Sequence, residues 1–317
     1  MKTKQTNSLL RMDNTIYVSS TRKFFAEGRG VLLENELYYG EDYKRIPATS
    51  IESGTGTEVL PDLYCYTVQI VNIVLVGHPA SKEFVLVDAG MPYSAEKIIS
   101  AIEERFGPDS RPKAIILTHG HFDHVGAIIE LVKRWNVPVY AHELELPYLT
   151  GKTCYTDPDP TVEGGMVSKM SPMFPVDPIN LGNHVKPLPS DGSVPHMTNF
   201  RWIHTPGHSP GHVSFFRDKD KALIAGDAFV TVKQEYLYKV FTQEQEISGP
   251  PRYLTPDWAA SQESVKKLEA LKPSFAITGH GMPMEGKLLT DSLRKLVDEF
   301  ETIAVPEYGK FVDGNEN

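Results

Sequence analysis

The chain has 317 residues, 40% of them hydrophobic and 23% charged, which suffices for a substantial core in one large domain or two small ones. A formal net charge of -9 argues against nucleic acid as a main partner, because phosphate binding demands clustered Lys and Arg. There is no apolar run of about 18 residues to span a membrane. The polar start lacks the apolar core of a secretory leader, and Cys65 and Cys154 form neither a disulfide framework nor a sulfur-rich metal cage. The expectation is a cytoplasmic protein that meets neither membrane nor nucleic acid.

Residues 1–57 are weakly periodic and carry Phe24, Phe25, Tyr38, Tyr39 and Tyr43 as anchors. They read as an extension packed on the main domain or on a neighbouring subunit, which makes a homodimer an expectation. Residues 58–317 read as the main domain. β-Branched and aromatic residues mark a strand over 64–76, and 84–87 a second one ending at Asp88. Ile98, Ile99, Ile102 and Phe106 at helical spacing predict a helix from Ser94, as N-cap, to the stop at Gly107. A strand at 114–117, a helix over about 125–135 and a strand at 137–141 follow. Residues 147–200 break the rhythm with many Pro and Gly, the mark of a functional lid or a surface loop. Strands resume at 200–204, 213–216 and 222–225. A helix over 258–271 behind Asp257, a strand at 275–278 and a helix over 288–300 complete the pattern.

Between strand 114–117 and the next helix lies His119-Gly120-His121-Phe122-Asp123-His124. Three imidazoles and a carboxylate on one short turn converge several N and O donors, a set that suits zinc, iron or manganese. Further donors stand at the ends of later strands: His208 in the segment after 200–204, Asp227 after 222–225 and His280 after 275–278. Each follows a glycine, which allows a tight turn and close backbone approach.

The ordered set His119, His121, Asp123, His124, His208, Asp227 and His280, with the earlier Asp88, resembles the metallo-β-lactamase superfamily over residues 58–290. The resemblance implies an α/β fold, an αββα sandwich, with a binuclear site at one edge. It implies two divalent ions, zinc first and iron or manganese also compatible. His119, His121 and His208 would hold one, Asp123, His124 and His280 the other, and Asp227 would bridge them. Such a pair lowers the pKa of a shared water and polarises the substrate oxygen, so the implied reaction is hydrolysis of a small-molecule ester, lactone or thioester, with Asp123 moving a proton to the leaving group. Asp88 reads as a residue that orients a ligand histidine or bonds turn amides. His212, His142 and His204 read as structural or rim residues, and His78, His184 and His196 are set aside.

Departures narrow the branch. Antibiotic-degrading members carry cysteine where this chain has Asp227, so the chain is more similar to glyoxalase II and the acyl-homoserine-lactone lactonases. The lactonases place a tyrosine three residues after the bridging Asp, where this chain has Val230; Tyr236, Tyr238 and Tyr253 come later. Persulfide dioxygenases, with a single iron, share the histidine turn and form the chemically different alternative. A non-catalytic metal-binding protein is the second. Tyr148, Tyr155, Met170, Met173 and Phe174 in the insertion, with the three later tyrosines, read equally well as cover for an apolar pocket or as ordinary packing.

Overall fold

The structure is a computed structural model that describes residues 36–312. Twelve strands form two sheets. In the first, β1 (Gly56–Leu60), β2 (Leu63–Val68), β3 (Val71–Val76), β4 (Val85–Val87), β5 (Ile115–Ile116), β6 (Val139–Ala141) and β7 (Val185–Pro187) lie side by side in chain order. β1 to β4 are antiparallel, and β4 to β7 are parallel. In the second, β8 (Phe200–His204), β9 (Val213–Arg217), β10 (Ala222–Gly226), β11 (Phe275–Thr278) and β12 (Met284–Glu285) take the order β12-β11-β10-β9-β8, with only β10 and β11 parallel. The helices are α1 (Ala95–Phe106), α2 (Ile128–Trp135), the short α3 (Leu146–Leu149), α4 (Met166–Met170) and α5 (Leu237–Thr242), then α6 (Trp258–Ala270), α7 (Gly286–Asp298) and α8 (Phe300–Ile303).

The alternation of side chains along each strand creates the layers. On β3, Ile73 and Leu75 join Ile98 and Ile102 of α1 and Leu131 of α2, whereas Val74 and Val76 face the other sheet. On β10, Ala222 and Ile224 meet that inner layer with Phe215 of β9 and Ile277 of β11. Leu223 and Ala225 point outward onto Val265 and Leu268 of α6 and Leu289 and Leu293 of α7. Strands buried on both faces read as continuous apolar runs, and three apolar layers separate four structural ones. The expected αββα sandwich is what forms.

The expected single strand over 64–76 is instead a hairpin. Val68 pairs with Val71 across a turn at Gln69, whose φ is +60°. Gln69 holds that turn through its own side chain, which donates to the carbonyls of Ile46 (3.0 Å) and Ala48 (2.6 Å). Ser94 stands at the N-terminus of α1 without capping it, since its hydroxyl donates to Met91 O at 2.6 Å. α2 starts at Ile128 rather than near 125, because His124 and Val125 bond back to His121 O in a turn of their own. The 147–200 stretch contributes α4 and β7, the seventh strand of its sheet.

Phe24 and Phe25 lie outside the described residues. Tyr39 and Tyr43 stack with ring centroids 4.6 Å apart, and the Tyr39 hydroxyl accepts from Ile129 N and donates to Glu130 on α2. Tyr38 pairs with Asn180 in an isolated bridge. Residues 36–55 thus lie against the body of the same chain.

Candidate metal centre

All seven candidate donors sit beyond strand ends along one edge of the two sheets. The histidine turn follows β5, His208 lies between β8 and β9, Asp227 follows β10 and His280 follows β11. Every one of them is buried. Their ligand atoms fall into three groups: His119 with His121 and His208, His119 with His124 and Asp227, and Asp123 with His124 and His280. Within each group these atoms lie within 4.8 Å of one another.

Hydrogen bonds on the far side of each ring select the nitrogen that faces inward. Thr118 donates its hydroxyl to Asp88 and so accepts from His119 Nδ1 at 3.0 Å, leaving His119 Nε2 buried without a partner. Asp88 accepts from His124 Nδ1 at 2.8 Å, and His124 Nε2 is likewise unpartnered. Thr255 donates to Pro251 O and so takes the Nδ1 proton of His208 at 3.0 Å. His280 Nδ1 donates to Ile70 O at 2.9 Å. His121 turns its other nitrogen inward, placing Nδ1 2.9 Å from His208 Nε2. Asp227 stands between the groups: Oδ2 lies 3.6, 3.5 and 3.2 Å from Nε2 of His124, His208 and His280, and Oδ1 has no partner. Buried polar atoms left without partners are costly unless something supplies the missing bond. Inward nitrogens on five histidines and oxygens on two carboxylates form a donor set that divalent metal ions satisfy.

The two halves differ electrically. Burial, followed by the neighbouring imidazoles, holds His119 well below the usual histidine range. Burial likewise brings His121 down to about 4, and His208 is held well below the usual range. Burial acts in the same direction on His280 and His124, but the carboxylates outweigh it. Asp227 and Asp123 push His280 up to about 10, and Asp227, Asp88 and Asp123 hold His124 well above its ordinary value. Burial would raise Asp227, yet His280 and His124 keep it well below the carboxylate range.

Support comes from residues with no signature in the sequence. Glu145 is fully buried, and its carboxylate accepts from Gly120 N (2.9 Å), Tyr155 hydroxyl, Ser209 Oγ (2.8 Å) and Gly211 N (2.8 Å). One side chain therefore ties the histidine turn to the His208 loop. Asn72 donates to the carbonyls of Thr278 (2.9 Å) and Gly281 (2.7 Å), fixing the loop that carries His280. His212 faces away from the donor groups, accepting Asp227 N at Nε2 and meeting Thr205 at Nδ1. His142 and His204 stack on each other 4.4 Å apart, outside every donor group. The His78 ring accepts from Ala80 N, and none of His78, His184 and His196 belongs to a donor group. Val230 is buried and bonded by its backbone to Ser248.

Residues 66–280 match the family model described as metallo-beta-lactamase superfamily. The chain belongs to that superfamily. Probable metallo-hydrolase YflN of Bacillus subtilis (strain 168) is 48% identical over 259 residues, covering 81% of this chain and 98% of that protein. Hydroxyacylglutathione hydrolase GloC of Haemophilus influenzae is 30% identical over 46% of this chain and 61% of its own length. The structure of metallo-beta-lactamase SMB-1 bound to 2-mercaptoethanesulfonate shares the fold, with a TM-score of 0.51 at 16% identity, covering 75% of this chain and 83% of that one.

Beside the donor groups of this superfamily member opens a cavity of about 480 Å³ that reaches Asp123, Asp227 and His280. Met170 and Phe174 of the insertion line it, as do Tyr238 and Tyr253; Met173 and Tyr236 do not. Tyr148 and Tyr155 border a separate cleft of about 40 Å³ beside His121 and His208. Among the described residues no helix is long and apolar enough to cross a membrane.

Proposed function

We propose that the protein is a metal-dependent hydrolase of small-molecule carboxylic esters, lactones or thioesters, working with two divalent ions. The observation that carries this reading is the cluster of buried donor groups around Asp227, whose Oδ2 lies 3.6, 3.5 and 3.2 Å from Nε2 of His124, His208 and His280, beside a cavity. His119, His121 and His208 would hold one ion, Asp123, His124 and His280 the other, with Asp227 shared. When bound, such a pair supplies an activated water and a Lewis acid for the substrate carbonyl.

In the reaction a water oxygen adds to the acyl carbon, the bond to the alcohol oxygen or thiol sulfur breaks, and one proton ends on the leaving group. Asp123 suits the proton transfer, because it lines the cavity and its Oδ2 lies 3.3 Å from His280 Nε2. Geometry of this kind supports hydrolysis, in keeping with the metallo-hydrolase of Bacillus subtilis, and the similarity to the hydroxyacylglutathione hydrolase of Haemophilus influenzae makes thioesters substrates worth testing. The second donor group favours two ions over the single iron of a persulfide dioxygenase.

Metal analysis of protein purified without added metal, paired with a panel of esters, lactones, thioesters and phosphodiesters, tests the proposal. Two ions per chain and acid release from carbonyl substrates are expected. One iron per chain with oxygen uptake on a persulfide would overturn it, and so would turnover of phosphodiesters alone.

A further inference from the structure

The cavity beside the donor groups is apolar almost throughout. Apart from Asp123, Asp227 and His280 at its inner end, its lining is aliphatic or aromatic but for Thr49 and the Tyr238 and Tyr253 hydroxyls, and it includes no lysine or arginine. A volume of about 480 Å³ lies within the range of small-molecule sites.

Three separate pieces of chain supply much of the wall. Ile46, Pro47 and Ala48 come from the segment before β1, Val167, Met170 and Phe174 from α4 and the residues after it, and Leu237, Val240 and Phe241 from α5. The first and last of these pieces are held together: Gln69 grips the carbonyls of Ile46 and Ala48, and Ile51 N donates to Phe241 O at 2.9 Å. At the mouth, Leu237, Tyr238 and Phe241 line the cavity and are also 49%, 72% and 47% exposed. Large apolar side chains held half in water around an apolar hole favour an apolar ligand passing between them.

We infer that the cavity receives the unbranched aliphatic acyl chain of an uncharged substrate, with the carbonyl at the Asp123, Asp227 and His280 end and the chain running toward α5. This inference rests on the acyl-hydrolase reading. A substrate carrying a charged group along that path would lose its hydration without gaining a counter-charge, which is a large penalty in an apolar site. A long aliphatic chain instead gains affinity with each methylene buried.

Two measurements test the inference, one of them independent of turnover. For metal-loaded enzyme, kcat/KM on p-nitrophenyl acetate, butyrate, hexanoate and octanoate rises by about fourfold per methylene. Decanol raises the melting temperature of the metal-free protein, whereas ethanol at equal concentration does not. Val240→Trp, which fills the cavity, lowers the octanoate-to-acetate ratio at least about tenfold, a drop worth some two methylenes. Phe241→Glu, at a half-exposed position on the cavity mouth, lowers the same ratio and weakens the decanol shift. Esters hydrolysed at rates independent of chain length, or no melting shift with decanol, overturn the acyl-chain assignment alone. Stabilisation by decanol with no carbonyl substrate turned over keeps the chain site and overturns the acyl-hydrolase reading.

Discussion

The backbone N–H of Asp227 donates to Nε2 of His212 at 2.9 Å, so a histidine outside the donor groups fixes the residue that stands between them. His212 Nδ1 meets Thr205, whose hydroxyl also reaches Ser214, and Ser214 donates to Ala225 O just before the Asp227 turn. The chain of bonds closes on the strand end that presents Asp227. Burial holds His212 down to about 3, so the ring is neutral and Nε2 remains an acceptor. His212→Ala leaves that N–H buried and unpaired and opens a void. A stability loss of about 2–4 kcal/mol is expected, with metal affinity weakened about 10- to 100-fold and stoichiometry unchanged. Calorimetric melting and metal titration check this. Loss of one whole metal equivalent at unchanged stability would make His212 a ligand instead.

Glu145 supports a second prediction. Oε1 accepts from Ser209 and Gly211, and Oε2 from Gly120 and Tyr155, so all four partners are donors. In Glu145→Gln the amide nitrogen must face two of them. About 1–3 kcal/mol of stability is lost for the mismatch, and the loops bearing His119, His121 and His208 loosen together. Denaturant unfolding with a metal titration of the variant measures both, and wild-type values in each would show that the carboxylate positions nothing.

His212 is visible in the sequence as a structural histidine, whereas Glu145 is not visible there at all. His119, His121, Asp123 and His124 share one turn, and His208, Asp227 and His280 each follow a glycine in a segment after a strand, so spacing alone makes them visible. Glu145 meets Gly120, Ser209 and Gly211, which are 25, 64 and 66 positions away, and only folding brings them together. The αββα layers are legible because long apolar runs must be buried on both faces. The β2–β3 turn is not, since Gln69 takes a positive φ usually left to Gly or Asn and is held there by bonds to Ile46 and Ala48. β1, β7 and β12 are short and lie at or near sheet edges, where pairing partners rather than composition decide them.

A third prediction concerns Gly279, packed against Asp227 and His124. A Cβ there would stand 1.9 Å from Asp227 Oδ1 and 2.8 Å from His124 Cε1. Retreat is blocked, because Gly279 N donates to Gly226 O at 2.9 Å and Gly279 O accepts from Asn72 N at 2.7 Å. Gly279→Ala therefore displaces the Asp227 carboxylate and the His124 ring. Metal content is expected to fall from two ions to one, retained by His119, His121 and His208, with about 1–3 kcal/mol of overpacking strain. Elemental analysis counts the ions, and two ions at wild-type affinity would refute the crowding argument.

The contrast between the two donor groups leads to a pH prediction. At neutral pH the His119, His121 and His208 rings are already deprotonated, whereas His280, at about 10, and His124, well above its usual value, still hold protons against Asp227 and Asp123. A metal entering the three-histidine group then displaces almost no proton, while one entering the Asp123, His124 and His280 group displaces on the order of one to two. Titration calorimetry at pH 7 in buffers of different ionisation enthalpy separates the events, and equal proton release for both equivalents would rule this out. The affinity of the second group should rise with pH up to about 10, while that of the first stays flat well above the His121 value of about 4. Stability carries the same sign: a histidine raised in the folded state contributes fully below its unfolded value of about 6.5 and loses that contribution as pH climbs through the folded one. Metal-free protein should therefore lose stability between about pH 6.5 and pH 10, while metal-loaded protein, whose ligands are already deprotonated, keeps it, as melting temperatures across that interval will show.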